Sequence, residues 1–432
     1  MTDAIAQPLA LACGQVLPNR LCKAAMTEGL ADPRGVPDER LQRLYRRWSN
    51  GGIGLLLTGN VQVDRHHLER AGNVIIDGPP SRGLVQGLKA WAEASKSGGS
   101  KAWVQLSHAG RQTQQAINSQ PKAPSAVPLE GTPGMKFGDP VALEEDEILS
   151  IADRFVLAAK VAEDTGFDGI QIHGAHGYLL SQFLSPKSNL RTDKWGGNLE
   201  NRARLLLDIV ERTTAQAGQG FAISVKLNSA DFQRGAFDAD DSEQVAGWLD
   251  ERGIDLLEVS GGTYEQAAMM GASDASSDKA KTSTAQREAY FLEFAPRMRA
   301  AVKNAALMVT GGFRSRAGMN AAIRDDKIDV IGVGRPLLGD PEGPAKLLAG
   351  APELRRIESE LRIGPGWLSP KSPFAIAKML NMGATLGWCY EQMDRLGDGK
   401  DIDHDGKIFR ALLAYQKREK AKAEAMREAG TI

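Results

Sequence analysis

The chain has 432 residues, of which 42% are hydrophobic and 25% charged, proportions that exclude a disordered or fibrous protein. Its net charge of −1 gives no charge-based case for nucleic acid or a membrane surface as partner. The three cysteines, Cys13, Cys22 and Cys389, are too scattered for a disulfide framework or a thiolate metal centre, which points to reduced thiols in a cytoplasmic protein.

No run approaches the roughly 18 apolar residues that a membrane span needs. The apolar patch Leu9–Cys13 is preceded by no Lys or Arg and follows Asp3 and Pro8, so no secretory signal is expected. From there, short apolar runs alternate with helical patterns. Arg20–Ala25 predicts a strand and Glu39–Trp48 a helix. Ile53–Thr58 pairs in the same way with Pro80–Ala94, Ala102–Leu106 with Glu144–Thr165, and Gly169–His173 with Glu200–Ala217. Ala222–Leu227 follows with Ser242–Arg252, Asp255–Val259 with Gln286–Val302, Ala306–Thr310 with Arg316–Arg324, and Asp329–Val333 with Pro341–Leu348.

The strands are near-continuous apolar runs, as in parallel strands covered on both faces. In the helix from Glu144, Ile148, Ile151, Ala152, Phe155, Val156 and Ala159 recur at spacings of three and four. Eight such units predict a (β/α)8 TIM barrel over residues 1–350. An open doubly wound sheet would carry GxGxxG after its first strand, and none follows Arg20–Ala25.

Beyond residue 350 the alternation stops. Ala351–Ile363, Phe374–Met382 and the charged run Ile408–Glu428 read as helices. Residues 351–432 are therefore expected to form a helical C-terminal extension that packs on the barrel or on a partner subunit. Asp401–Gly406 imitates the start of an EF-hand loop, but Leu412 stands where the bidentate Glu belongs, so it reads as a solvated turn. Lys417–Lys422 reads as a solvated helix face.

Barrel active sites sit at the C-terminal ends of the strands, which directs attention to the polar residues there. The fourth strand runs into Ile172-His173-Gly174-Ala175-His176-Gly177-Tyr178. A lone His is most often a satisfied core residue, but two of the six histidines with a Tyr at one strand end form a candidate site. His-x-x-His also offers two zinc ligands, yet no nearby carboxylate or thiolate completes a set, so no metal is expected. Imidazole N–H groups suit a carbonyl or anionic oxygen, and a phenol can supply a proton.

Gly311-Gly312 follows the seventh strand, and Gly334-Arg335 the eighth. Loops in these positions often bind phosphate through backbone N–H groups, although such glycines also serve ordinary turns. Lys226 ends the fifth strand and, if buried, needs an anionic partner. Gln105 ends the third strand and Thr27 follows the first. Each of these alone reads equally well as a core polar residue.

Over Leu17–Leu348 the chain resembles the old yellow enzymes, the FMN-dependent NADH:flavin oxidoreductase barrels. The markers are Asn19-Arg20, Ala25-Met26-Thr27, Gln105-Leu106-Ser107-His108-Ala109-Gly110-Arg111, and the ordered run from Phe183-Leu184-Ser185-Pro186 through Asn189, Arg191-Thr192-Asp193 and Gly196-Gly197 to Glu200-Asn201-Arg202. The resemblance implies FMN over the barrel mouth. Gly311, Gly312, Gly334 and Arg335 would hold its phosphate, and Gln105 the pyrimidine edge of its ring. Lys226 would lie near N1 and O2, Thr27 near O4 and N5, and the Gly59 backbone would face the ring. His173 and His176 would bind the oxygen of an activated alkene, a small-molecule carbonyl or nitro compound, while Tyr178 gives a proton to Cα. NADH or NADPH would reduce the flavin.

Some relatives have Cys where Thr27 stands, and Cys22, inside the first strand, reads as a packing residue rather than a substitute. Longer relatives carry a cysteine cluster for an iron–sulfur centre, which Cys389 alone cannot supply. Two other readings stay open: a flavin-free barrel lyase or aldolase using Lys226 as a Schiff-base amine, and a non-catalytic flavin-binding protein. Tyr264, Met269 and Met270 in the loop Gly261–Thr284 are candidate substrate-lining residues. Barrel precedent makes a homo-oligomer the expected assembly.

Overall fold

In the computed structural model, residues 3–129, 136–231, 233, 235–260, 294–325, 327–370 and 372–432 are described. Eight strands, β1 (Leu21–Lys23), β2 (Leu55–Leu57), β3 (Lys101–Ser107), β4 (Gly169–Gly174), β5 (Ala222–Asn228), β6 (Leu256–Ser260), β7 (Ala306–Thr310) and β8 (Val330–Val333), pair in parallel. β8 pairs with β1, and β2 with β3, so the sheet closes on itself. This is a (β/α)8 TIM barrel, and every strand predicted from the sequence is present.

The helices between the strands begin where the sequence supplies a capping oxygen. Asp38 accepts the Arg40 amide at the start of α1 (Glu39–Asn50), and Ser81 accepts that of Leu84 at α2 (Arg82–Lys96). Glu144 and Glu147 form a reciprocal capping box at α3 (Glu145–Asp164). Asn198 caps α4 (Leu199–Gln216) and Asp238 caps α5 (Ala239–Glu251). Residues 294–301 and α6 (Arg316–Asp325) are also helical. The helix expected over Gln286–Val302 lies partly, and the loop Gly261–Thr284 wholly, outside the described residues.

At the N-terminal end of the barrel one device is used three times. Asp168, Asp255 and Asp329 precede β4, β6 and β8, and each accepts the amide of a residue on the preceding strand, Ala102, Ile223 and Leu307. A hairpin of Leu9–Ala10 and Val16–Leu17 plugs this end, with Leu11 and Leu17 packed on Cys22, Leu55, Leu57, Trp103, Leu256 and Met308. Cys22 is thus a buried packing residue with a free thiol, as its place inside a strand implied.

Side chains alternate along each strand, so the residue two beyond an inward apolar side chain also faces the barrel interior. That step leads from Trp103 to Gln105 and from Leu256 to Glu258, and on β5 two such steps lead from Ala222 through Ser224 to Lys226. The interior therefore changes from apolar at the plugged end to polar and charged at the open one.

The C-terminal region is helical, but not as expected over Ala351–Ile363. Only Ile357–Glu360 is α-helical there. Glu353 bridges Ser315, and the Leu354 amide donates to the Arg314 carbonyl, which holds this backbone extended against the barrel. The helix expected over Phe374–Met382 instead continues as α7 (Ala375–Gly397). It pairs with α8 (Ile408–Glu428), crossing where Gly387 lets the Leu412 backbone approach; a Cβ there would lie 2.9 Å from Leu412 Cα. Trp388, Met393, Leu396 and Ala411 join the main core, and Arg40 on α1 pairs with Asp394 and Asp398 at 2.9 Å each.

Candidate active site

The turn after β4 gathers the predicted cluster. The Ala175 amide donates to His173 Nδ1 at 3.2 Å, so the neutral His173 ring carries its proton on Nε2. The Tyr178 ring meets that of His173 edge-on, centroids 4.8 Å apart at 81°, and the His176 ring lies 5.1 Å from it. His176 adopts φ 61°, a left-handed conformation uncommon outside glycine. Its amide donates to Asn228 Oδ1, its carbonyl accepts from Gln112 Nε2, and its Nε2 lies 2.7 Å from Ser260 Oγ. Burial first, and then the Lys226 charge, hold both imidazoles well below the usual histidine range. At neutral pH both are therefore neutral hydrogen-bonding groups.

A polar chain crosses the barrel beside them. Gln105 Nε2 donates to Gln171 Oε1 at 2.7 Å, and Gln171 Nε2 to Glu258 Oε2 at 2.9 Å. Glu258 Oε1 then pairs with Lys226 Nζ at 3.0 Å, both side chains being buried. The anionic partner that a buried Lys226 required is thus in the protein itself. Gln171 and Glu258 were not picked out from the sequence. The available signal was a polar or acidic residue at an inward position of an otherwise apolar strand.

Thr27 Oγ1 donates to Glu69 Oε2 at 2.6 Å, and Asn60 Nδ2 donates to the same oxygen at 2.9 Å. Glu69 was also missed, because nothing in the surrounding sequence relates it to Thr27. Gly59 has no room for a side chain, since a Cβ would lie 2.5 Å from the Met26 carbonyl oxygen. Its amide donates to Glu28 Oε1 and Tyr45 Oη and is therefore already engaged within the protein.

At the opposite side of the mouth, Gly311 and Gly312 have φ values of 147° and 76°, open to glycine alone without strain. Among the described residues, no acceptor is found for the amides of Gly311, Gly312 or Gly334. Gly311, Gly312, Gly334 and Arg335 are all partly exposed, although the strands leading to them are largely buried. Thr310 Oγ1 is buried and has no hydrogen-bond partner among the described residues. Unspent donors at the ends of β7 and β8, with an amide-bearing Gln105 and a cation across the mouth, fit a phosphorylated heterocyclic cofactor. Gln105 and Lys226 therefore share one polar chain with each other, whereas Thr27 and Gly59 stand on their own contacts.

Asp64, His67 and His108 also lie together, with ligand-type atoms within 4.8 Å. Arg154 Nη1 already sits 2.5 Å from Asp64 Oδ2, and backbone amides of Lys122 and Gly110 occupy one nitrogen of each ring. A cation on the same carboxylate argues for a structural cluster.

The family model "NADH:flavin oxidoreductase / NADH oxidase family" matches residues 5–353. The chain is 37% identical over 350 residues to the NADH-dependent flavin oxidoreductase iliE of Neonectria sp. (strain DH2), covering 78% of this chain. It spans only 46% of that relative's length. With the protein of the same name from Hypocrea jecorina (strain QM6a) it shares 34% identity over 355 residues, covering 79% of this chain and 88% of that one. The solved old yellow enzyme homologue from Zymomonas mobilis superposes with a TM-score of 0.68 at 28% identity, over 82% of this chain and 96% of the other. The chain therefore belongs to the NADH:flavin oxidoreductase / NADH oxidase family, within the old yellow enzyme group of flavin oxidoreductases. Among the described residues, no helix is long and apolar enough to cross a membrane.

Proposed function

We propose that the protein is an FMN-dependent ene-reductase that uses NADH or NADPH to reduce activated C=C bonds in small α,β-unsaturated carbonyl or nitro compounds. The observation that carries this reading is the His173, His176 and Tyr178 cluster at the end of β4, with the His173 proton assigned to Nε2. Bound FMN supplies hydride from N5 after reduction by the nicotinamide. Gln105 and Lys226 hold the ring, and the amides after β7 and β8 hold the phosphate with Arg335. The Thr27 hydroxyl and the Gly59 backbone line the same mouth.

His173 and His176 then bind the substrate oxygen. Negative charge grows on that oxygen as hydride adds, so fixed neutral donors stabilise the transition state more than the ground state. Tyr178 delivers the proton to Cα. The ion pair of Lys226 with Glu258 disfavours the lyase or aldolase alternative, because a carboxylate beside the amine favours the ammonium, which is not a nucleophile. Anaerobic stopped-flow experiments test the proposal. Tyr178→Phe is expected to slow reoxidation by an enone but not reduction by NADH or NADPH. A protein that takes up no FMN, or equal slowing of both half-reactions, would overturn it.

We also read the protein as a homo-oligomer acting in the cytoplasm, with residues 351–432 as an extension of the barrel domain. Trp367, Phe374 and Ile376 are 64%, 60% and 69% exposed, which supports association through this segment. Light scattering coupled to size exclusion decides the assembly. A monomer at micromolar concentration contradicts it.

A further inference from the structure

We propose that the exposed apolar face shared by α7 and α8 is a two-fold interface with a second copy of this chain, in which the two α7 helices lie antiparallel. The inference rests on the reading of the chain as a homo-oligomer and deepens it by assigning the contact surface. The family match ends at residue 353, so this surface lies outside the region that defines the family. Among the described residues, eight of the twelve exposed large hydrophobics fall between Trp367 and Leu413. Single exposed apolar residues are ordinary, but such a concentration marks an interaction surface.

Leu412 of α8 packs over Gly387 and over Gly383, where an added Cβ would lie 3.5 Å from Leu412 Cδ1. The same face of α7 runs on through Leu380, Met379 and Ile376, and there it is exposed. Leu386 carries it further along α7, Phe409 and Leu413 stand one turn apart on α8, and Trp367 and Phe374 precede α7. Taking about 150–250 Å² for a whole aromatic side chain and about 120 Å² for an aliphatic one, the eight expose roughly 700 Å² together. The largest patch on a typical monomer is about 300–600 Å². Each partner in a stable interface contributes about 800 Å².

Charge decides the occupant. Between Glu360 and Glu391 the sequence has no carboxylate. Arg355 and Arg356 pair with Glu360 and Glu353, but Arg362, Lys378, Lys407 and Arg410 have no ion pair among the described residues. The Ile363 amide donates to Asn381 Oδ1, which sets Arg362 beside the first half of α7. Beside the second half runs the turn that joins α7 to α8. There the Asp403 amide donates to Gln392 Oε1, and its carbonyl accepts from Trp388 Nε1. Asp401 on this turn meets Arg47, but Asp403 and Asp405 have no ion pair among the described residues. Unpaired cations thus stand around the first turns of both helices, and unpaired carboxylates on the turn between them. A two-fold axis across α7 brings Arg362 and Lys378 of one copy toward the partner's Asp403 and Asp405. An anionic membrane would answer the cations but set both carboxylates against lipid phosphate.

Size exclusion with light scattering, run on the full chain across a concentration series, tests the assignment. Wild type is expected to be a dimer or a multiple of one. Ile376→Asp and Leu413→Asp each place a charge on the interface twice over, and each is expected to raise the dimer dissociation constant by roughly a hundredfold. Lys378→Glu or Asp405→Lys alone is expected to weaken association, and the two together in one chain to restore it. Should these variants not fold, Leu380→Cys carries the same test. Oxidised glutathione is expected to yield a covalent dimer from it, but not from Leu149→Cys, which is exposed on α3.

A wild-type dimer left intact by both Asp variants, or a charge reversal that fails to restore association, overturns the proposal and leaves the homo-oligomer reading standing. A monomeric wild type removes both. A monomer that co-sediments with phosphatidylserine vesicles gives the face to a membrane instead.

Discussion

Lys226 and Glu258 are register partners on adjacent strands, and their ammonium and carboxylate meet 3.0 Å apart inside the barrel. A lysine facing the mouth alone would place an uncompensated charge in a poorly hydrated interior. Paired with Glu258, it forms a site that is electrically balanced before any ligand arrives. Removing one partner strands the other, which typically costs about 3–5 kcal/mol. Glu258→Gln is therefore expected to destabilise the apoprotein by about that amount in denaturant titration. A Lys226→Met/Glu258→Leu double variant should lose much less than the two single changes together.

His173 is expected to act as a neutral donor through Nε2. His173→Ala should lower the rate of enone reduction by about 10²–10³-fold, the usual loss when one oxyanion donor is removed. Reduction of the flavin by nicotinamide should change little. Single-turnover kinetics of the two half-reactions separate these outcomes.

His108 gives the protein an acid-sensitive component. Burial, foremost, and the neighbouring His67 push its pKa down to about 4 from 6.5. The unfolded chain takes up that proton near pH 6.5, whereas the folded one resists until about pH 4. The contribution of neutral burial is thus intact above about pH 6.5 and is lost as the pH falls toward 4, amounting to about 3 kcal/mol. Replacing His108 by Gln should flatten stability against pH within that window, measured by urea titration at successive pH values.

Buried Arg70 is clamped between Glu419 on α8 and the Tyr390 ring on α7, which makes the C-terminal helices part of the barrel's stability. Glu419→Ala leaves a buried guanidinium resting on Tyr390 and Tyr415. It should destabilise by about 3 kcal/mol, the low end for a broken buried pair, since the aromatic faces remain. Limited proteolysis should also cut earlier between α7 and α8 in this variant. An unchanged cleavage rate would show that the clamp is dispensable.

The barrel was legible because strands buried on both faces must be apolar throughout, and because apolar residues recur at spacings of three and four in the helices between them. The His173–Tyr178 cluster was legible for a similar reason, as its members are neighbours in sequence and one strand end delivers them together. Over Ala351–Ile363 local helix preference misled, because contacts with Ser315 and Arg314 pull the backbone straight. The extent of α7 also escaped the local pattern, since Gly383 and Gly387 weaken the helix until α8 packs on it.

What the sequence alone determined was the fold class, the family and the residues at the strand ends, all of which depend on local spacing and order. What only the tertiary structure decided was who neutralises whom. Lys226 finds Glu258 and Thr27 finds Glu69 across gaps of 32 and 42 residues. Arg70 finds Glu419 across 349. Such pairings follow from strand register and helix docking, which bring distant charges together only once the barrel has closed.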